Sequence, residues 1–254
     1  MGQKTVATSD YIVSLSEQAF FTVVASSLEA FSVNHGEDGQ DSEEEDEDDT
    51  PSDDEVGADE DDQSRPRETY GNLWGYKVQT MRGETVLHIT MADVDTSARC
   101  DDESADPKPQ AFRLKQDLID SLRPELNYLG DFHAHPYHYK HDGVTSALDI
   151  ERRALHDFSR ADFRHARHLA QRRNYQVGLV ATVYRGKKHV ERKSKYIGEN
   201  GFSCLRFCCG ELTIWLKCYV FEENGERIRD AKVALLCTAI GFHGADIDQE
   251  RRKR

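Results

Sequence analysis

A run of acidic residues divides this chain and limits what it can fold into. Between Gly36 and Ser64 the sequence has 17 Asp or Glu residues and no Lys or Arg. Such a segment has too little apolar surface to offset the entropy that is lost on ordering. We therefore predict that residues 36–67 form a disordered acidic insertion. Removing these 17 charges from the formal net charge of −14 leaves +3, so the acidity belongs to one segment.

The rest of the chain is large enough for one hydrophobic core. It has 254 residues, of which 37% are hydrophobic, and this favours one domain with insertions. We predict a single domain over residues 1–254 with a flexible tail at residues 245–254. There is no apolar run of about 18 residues and no secretory signal at the start. We therefore expect a cytoplasmic protein with buried, reduced cysteines and with no membrane or nucleic-acid partner.

Apolar periodicity predicts both strands and helices. Residues 11–15 are an apolar run, Ser14 and Glu17 have capping-box spacing, and apolar residues then recur at helical intervals. Two alternating segments around an Arg-Gly turn at residues 82–83 predict a hairpin. Beyond them we predict a helix at residues 112–122 that ends before Pro124 and a strand at residues 128–132. A second helix at residues 163–170 and a buried strand at residues 177–184 follow. The fold class is therefore α+β, with a central mixed sheet flanked by helices.

Two histidines, His133 and His135, directly follow the strand predicted at residues 128–132. Strand side chains alternate between faces, so both imidazoles point the same way and can share one metal ion. Pro136 is predicted to end the strand next to them. Catalytic zinc has three protein ligands and one open position. Either of two downstream Ser-x-x-Asp segments, at residues 146–149 and 159–162, could supply the third ligand.

Three sequence motifs occur in an order that is typical of one family of zinc enzymes. They are Glu68 at the start of ETYGNLWG, the His-Ala-His-Pro of residues 133–136, and a Ser-x-x-Asp that opens a helix. In this order and context they resemble the JAMM (JAB1/MPN/Mov34) zinc metallopeptidases. The resemblance covers roughly residues 11–184 and implies an MPN-type α+β fold. The Gly-Asp-Phe-His-x-His-Pro-Tyr form of the motif is more similar to bacterial members, including those encoded with ubiquitin-like conjugation enzymes in antiviral operons.

The spacing of the third piece departs from the family pattern. Ten residues separate His135 from Ser146, and 23 separate it from Ser159. Both intervals are longer than in the usual members. The third ligand and the serine are therefore either Asp162 with Ser159 or Asp149 with Ser146.

Helix-capping chemistry favours the later pair. With Ser159 as N-cap, Asp162 falls at the third helical position, and Phe158 and Phe163 take the two positions of a hydrophobic staple. The earlier segment has Thr and Ile at the staple positions, which is a poorer match. We therefore predict His133, His135 and Asp162 as the metal ligands, with residues 137–157 as an inserted loop or helix over the site.

The resemblance also implies a mechanism and a class of substrate. Zn²⁺ held by the three ligands would activate a water molecule, and Glu68 would take its proton and pass it to the leaving amine. The Ser159 hydroxyl would donate a hydrogen bond to the oxyanion. Substrates in this family are usually peptide or isopeptide bonds at the C-terminus of ubiquitin or a ubiquitin-like protein. The expected partners are therefore such a modifier and its conjugates.

Two other classes of protein share parts of this pattern. An MPN domain that has lost its metal would be a scaffold, although such domains normally lack part of the Glu, His and Asp set. Amidohydrolase and PHP-type barrels share the Asp-x-His-x-His of residues 131–135. In those barrels the motif lies on the first strand, and the 119 residues after His135 are too few for a barrel of about 250 residues.

Overall fold

The computed structural model describes residues 10–32, 66–100, 105–187, 193–198 and 201–244. The predicted disordered insertion falls outside the described residues except for Pro66 and Arg67, and so does the predicted tail at residues 245–254.

Four α-helices and eleven β-strands lie in the described part of the chain. The helices are α1 (Glu17–Ser32), α2 (Pro109–Leu122), α3 (Ala147–Arg152) and α4 (Arg160–Ala170). The strands are β1 (Tyr11–Leu15), β2 (Tyr70–Gln79), β3 (Thr85–Val94), β4 (Arg99–Cys100), β5 (Ala105–Asp106), β6 (Asn127–His138), β7 (Val177–Arg185), β8 (Lys195–Tyr196), β9 (Cys204–Cys209), β10 (Leu212–Val220) and β11 (Val233–Cys237). The predicted hairpin corresponds to β2 and β3, and the predicted strand at residues 177–184 to β7.

Nine of these strands form one mixed sheet, in the order β11-β1-β3-β2-β6-β7-β10-β9-β8. β1 runs parallel to both of its neighbours and β6 runs parallel to β7, whereas the other neighbouring pairs are antiparallel. The two ends of the sheet approach each other, since the Leu235 amide of β11 donates to the Phe202 carbonyl beside β9 at 2.8 Å. The sheet is therefore curled. A mixed sheet of this order confirms the α+β class. It excludes a barrel of eight parallel strands, which is the fold expected for the other hydrolases that have an Asp-x-His-x-His motif.

Helices cover both faces of the sheet. α1 packs Phe20 and Val23 against Leu87 and Ile89 of β3 in the larger core cluster. α2 and α4 contribute to a second cluster, which contains Trp74, Ile119, Tyr128, Phe158, Leu169 and Tyr219. β6, whose side chains face α4, lies in the middle of the sheet and is paired with β2 on one side and β7 on the other.

The start of α1 differs from the prediction. The Ser16 hydroxyl, and not that of Ser14, accepts the Ala19 amide, at 3.1 Å. Ser14 lies inside β1, where it pairs with Leu236 on one side and His88 on the other. The predicted capping box at Ser14 and Glu17 is therefore wrong, because the strand continues through Leu15 before the helix begins.

β6 also differs from the prediction, since it continues past Pro136 to His138. Pro136 pairs with Val183 of β7, whereas the ladder between β6 and β2 ends where His133 faces Tyr70. A proline is tolerated where no neighbouring strand needs its missing N–H. The prediction that Pro136 ends the strand is therefore wrong, and both histidines lie within the sheet.

Within the described ranges, no helix has the length and apolar character needed to span a membrane. All six cysteines are free, and Cys204, Cys218 and Cys237 are buried. Burial raises the pKa of the Cys204 thiol.

Candidate metal centre

β6 places Asp131, His133 and His135 on one face, as expected for alternate residues of a strand. Each histidine is only 8% exposed. Their Nε2 atoms lie 3.1 Å apart, and the Phe158 ring packs beside His133 with centroids 5.1 Å apart. The two imidazoles therefore point into the same small volume, as the sequence predicted.

α4 brings Asp162 to the two histidines. The Asp162 Oδ2 atom is 3.5 Å from the Nε2 atom of His133 and 3.5 Å from that of His135. A full capping box fixes this carboxylate: the Ser159 N–H donates to Asp162 Oδ2 at 2.6 Å, and the Ser159 hydroxyl accepts the Asp162 N–H at 3.2 Å. The predicted staple is also present, since the rings of Phe158 and Phe163 pack edge to face at 5.4 Å.

The donor atoms of His133, His135 and Asp162 form a group that could hold a metal ion. Two ligand atoms that each lie about 2.0–2.1 Å from one zinc ion at the tetrahedral angle are about 3.3 Å apart. The three separations of 3.1, 3.5 and 3.5 Å are close to this value. Two imidazoles and one carboxylate are also a ligand set that zinc accepts. The geometry and the chemistry of the group therefore fit such an ion.

The charges around the group favour an ionised carboxylate. Burial raises the pKa of Asp162, but the contacts with His133 and His135 outweigh burial and hold this pKa well below its usual range. Burial lowers the pKa of His133, yet the contact and charge of Asp162 outweigh it and raise the net pKa. At His135 burial prevails and the pKa is lowered. The carboxylate is therefore available as an anionic ligand.

The other predicted residues, Glu68 and Ser159, line the same cleft, which has a volume of about 520 Å³. Glu68 lies just before β2, where the carbonyl of Thr69 accepts the Ala134 amide at 3.1 Å. The negative charge of Glu68 contributes to the raised pKa of His133. Ser159 uses one lone pair to cap α4, which leaves its hydroxyl proton for another acceptor.

The alternative pair, Ser146 and Asp149, lies elsewhere. Ser146 is the N-cap of α3, and its hydroxyl accepts the Asp149 amide at 3.2 Å. Asp149 Oδ2 accepts hydrogen bonds from the amide (3.0 Å) and the hydroxyl of Thr145. Asp162, and not Asp149, belongs to the described group of potential metal ligands. Both serines cap a helix, but only one of the two helices points its carboxylate at the histidines.

Asp131 is the centre of a second polar group in the cleft, which the sequence motifs did not predict. It accepts hydrogen bonds from the Tyr175 hydroxyl at 2.9 Å and from the Tyr70 hydroxyl at 3.0 Å. His165 Nε2 is 3.8 Å from Asp131 Oδ2. Burial raises the pKa of Asp131, although the nearby His165 and His133 oppose this rise. The sequence did contain a signal for this group. Asp131 is two residues before His133 and so lies on the same face of the strand, and His165 follows Asp162 by one helical turn.

Comparison of the sequence with protein-family models and with curated proteins gives no match.

Proposed function

We propose that this protein is a zinc-dependent peptidase of the JAMM type, with an MPN-type arrangement of sheet and helices. The convergence of His133, His135 and Asp162 in a cleft that Glu68 and Ser159 also line is the observation that supports it. The same five residues match the family motif in type and order, with a longer interval before Ser159 than in the usual members. A scaffold role is less well supported, because none of these side chains has been lost.

Each residue has a part in peptide hydrolysis. The two imidazoles and the carboxylate would hold a zinc ion, which would supply a Lewis acid for activating water. Glu68 accepts the proton of the attacking water. The Ser159 hydroxyl donates a hydrogen bond to the oxygen of the scissile carbonyl as negative charge develops there. The capping box holds both Ser159 and Asp162 in place during these steps.

The substrate class in this proposal comes from the sequence resemblance. It is the peptide or isopeptide bond that follows the C-terminus of ubiquitin or a ubiquitin-like modifier, so the reaction is deconjugation or precursor processing. The modifier and its conjugates are then the partners. A cytoplasmic location and a part in bacterial antiviral defence are consistent with this proposal.

The test combines metal analysis with an assay on modifiers. Purified protein should contain about one zinc per chain, and it should release a Lys-containing peptide from the C-terminus of at least one member of a panel of ubiquitin and ubiquitin-like proteins. Chelation should abolish cleavage, and added zinc should restore it. Protein that takes up no zinc, or zinc-loaded protein that cleaves no member of the panel, would contradict the proposal.

Glu68→Gln is the informative variant for the mechanism. It keeps the size of the side chain and removes the base, so zinc content should stay the same while turnover falls about 100- to 10,000-fold. Elemental analysis and initial rates on the same preparation measure both quantities. A variant with wild-type turnover would show that Glu68 is not the base.

A further inference from the structure

A row of side chains on one face of the sheet leads away from the candidate metal centre. His135 of β6 pairs with Thr182 of β7, which pairs with Trp215 of β10. Residues that pair across neighbouring strands carry their side chains on the same face of a sheet. The three side chains therefore lie side by side, and Thr182 is the direct neighbour of the proposed ligand His135.

Thr182 is an unusual residue for its position in β7. It is the only polar side chain in the stretch VGLVATV of residues 177–183, all of which are buried. Its own exposed fraction is 0%. Burying a hydroxyl group without a hydrogen bond costs free energy, and valine has the same branched shape without the hydroxyl. Packing alone therefore does not explain a threonine here.

The Thr182 hydroxyl and the ring of His135 have complementary needs. Among the described residues, neither Thr182 Oγ1 nor His135 Nδ1 has a partner in a hydrogen bond of normal geometry, and both atoms are buried. The neighbour on the other side, Trp215, donates its indole N–H to Glu151 Oε1 at 3.3 Å. Trp215 is therefore not available to Thr182, whereas His135 is.

The chemistry of a histidine ligand gives this pairing a purpose. The Nε2 atom of His135 faces Asp162 and His133, so Nδ1 is the nitrogen that carries the proton when Nε2 binds a metal. Such a proton is usually donated to an acceptor that fixes the orientation of the ring. A hydroxyl oxygen is a suitable acceptor. Because neighbouring strands are only about 4.8 Å apart, the Thr182 hydroxyl is within reach of Nδ1.

We propose that Thr182 is a positioning residue of the metal centre: its hydroxyl accepts the Nδ1–H of His135 and holds the ring in the orientation that binds zinc. This inference rests on the proposed function, which needs zinc at His133, His135 and Asp162. Thr182 itself touches neither the metal nor the substrate. Such a contact accounts for a buried hydroxyl in a strand segment that is otherwise apolar.

The segment between α3 and α4 offers a competing acceptor. Burial lowers the pKa of His135, and the backbone of Leu155 is among the groups that oppose this shift. A backbone group cannot be removed by changing a side chain, whereas a hydroxyl can. Substitution of Thr182 therefore separates the two acceptors.

The test measures zinc affinity and does not depend on activity. Thr182→Val removes the hydroxyl and keeps the branched shape, whereas Thr182→Ser keeps the hydroxyl and removes the methyl group. Thr90→Val is the matched control, because Thr90 Oγ1 is also buried without a partner in the described part of the chain, while Thr90 does not line the cleft. Each protein is stripped of metal and titrated with zinc against a competing chelator.

Thr182→Val should bind zinc about 10- to 100-fold more weakly than the wild-type protein, which is the usual effect of removing a partner of a metal ligand. Thr182→Ser and Thr90→Val should both bind zinc as the wild-type protein does. The thermal midpoint of metal-free Thr182→Val should not fall, because the change removes a hydroxyl from apolar surroundings.

Three results would overturn the inference. Unchanged zinc affinity in Thr182→Val would mean that the backbone of Leu155 orients His135 without help from the hydroxyl. An equal loss in Thr182→Val and Thr182→Ser would show that the packing of the side chain matters and not its hydroxyl. An equal loss in Thr90→Val would show that the effect is not specific to the site. A wild-type protein that binds no zinc would instead contradict the proposed function, and this failure is seen before any variant is made.

Discussion

Asp162 shows how one residue can hold a local structure and form a site at the same time. Its carboxylate accepts the Ser159 amide, which stabilises the first turn of α4, and the same Oδ2 atom faces both imidazoles. Asp149 has an equivalent position in α3, three residues after an N-cap serine, but its carboxylate contacts Thr145. The two residues therefore form a natural pair for separating capping from metal binding.

Replacing Asp162 by Ala should weaken the proposed binding of zinc, because two imidazoles alone would remain as ligands. We expect the zinc affinity to fall more than about 100-fold, since even the partners of metal ligands contribute about 10- to 100-fold. Titration with a competing chelator measures it. Asp149→Ala removes a carboxylate from an equivalent helix start and should leave the affinity unchanged. Loss of zinc in Asp149→Ala with retention in Asp162→Ala would mean that the shorter spacing holds the ligand.

At the scale of elements, the segment between α3 and α4 connects the site to the second core cluster. Phe158 immediately precedes the N-cap of α4, and its ring packs 4.3 Å from Tyr219 and 5.1 Å from His133, centroid to centroid. The Phe158 amide donates to the Tyr219 hydroxyl at 3.0 Å. Strand β10 therefore helps to fix where α4 begins and where Asp162 points.

Phe158→Ala tests this connection. Removing a buried phenylalanine typically costs about 3–5 kcal/mol of unfolding free energy, and the cavity beside His133 should also weaken zinc binding. Urea denaturation of the metal-free protein measures the first effect. Phe21→Ala, which truncates an exposed ring on α1, should change stability by no more than about 0.5 kcal/mol. Similar losses in the two variants would argue against the role given to Phe158.

Local rules predicted part of these elements well. The period of two along a strand predicted that His133 and His135 share a face, and the capping box with its aromatic staple predicted where α4 begins. Each of these signals involves residues that are close to one another in the sequence, so no tertiary information is needed. The same rules failed at Pro136, because its tolerance in β6 depends on where the ladder with β2 ends, and that position is set by strand pairing.

The contact between Asp131 and His165 was beyond local rules for the same reason. The two residues belong to different elements, and only the packing of α4 across β6 brings them to 3.8 Å. The hydroxyls of Tyr70 and Tyr175 come from two further parts of the chain. Sequence motifs therefore identified the proposed ligands, whereas the contact between Asp131 and His165 could be found only from the fold.

At the scale of the whole molecule, the described parts of the chain on the two sides of the acidic segment lie close together. The Arg67 amide donates to the Ala30 carbonyl at 3.1 Å, so the described chain before residue 33 and the described chain after residue 65 meet at the end of α1. Glu68, one residue after this contact, lines the cleft. A change in the length of the segment therefore need not move either of the elements to which it is joined.

Replacing residues 37–62 with a short Gly-Ser linker should leave the unfolding free energy within about 1 kcal/mol, because loop-closure entropy changes slowly with length. Urea denaturation measures this difference, and zinc content should be unchanged. A neutral Gly-Ser segment of the original length is the control that separates charge from length. A drop of several kcal/mol in the short variant would reveal that the acidic segment packs against the fold.

The parallel pairing of β1 with β11 has a consequence for how this protein is made. β1 gains its outer neighbour only when Val13 meets Leu235, and nearby Lys232 and Asp10 form an ion pair across 222 positions of sequence. Contacts of such high sequence separation slow folding. During synthesis on the ribosome, the edge of β1 that pairs with β11 stays unpaired until β11, which ends at Cys237, has left the exit tunnel. Premature termination before β11 would release chains that expose this edge and tend to aggregate.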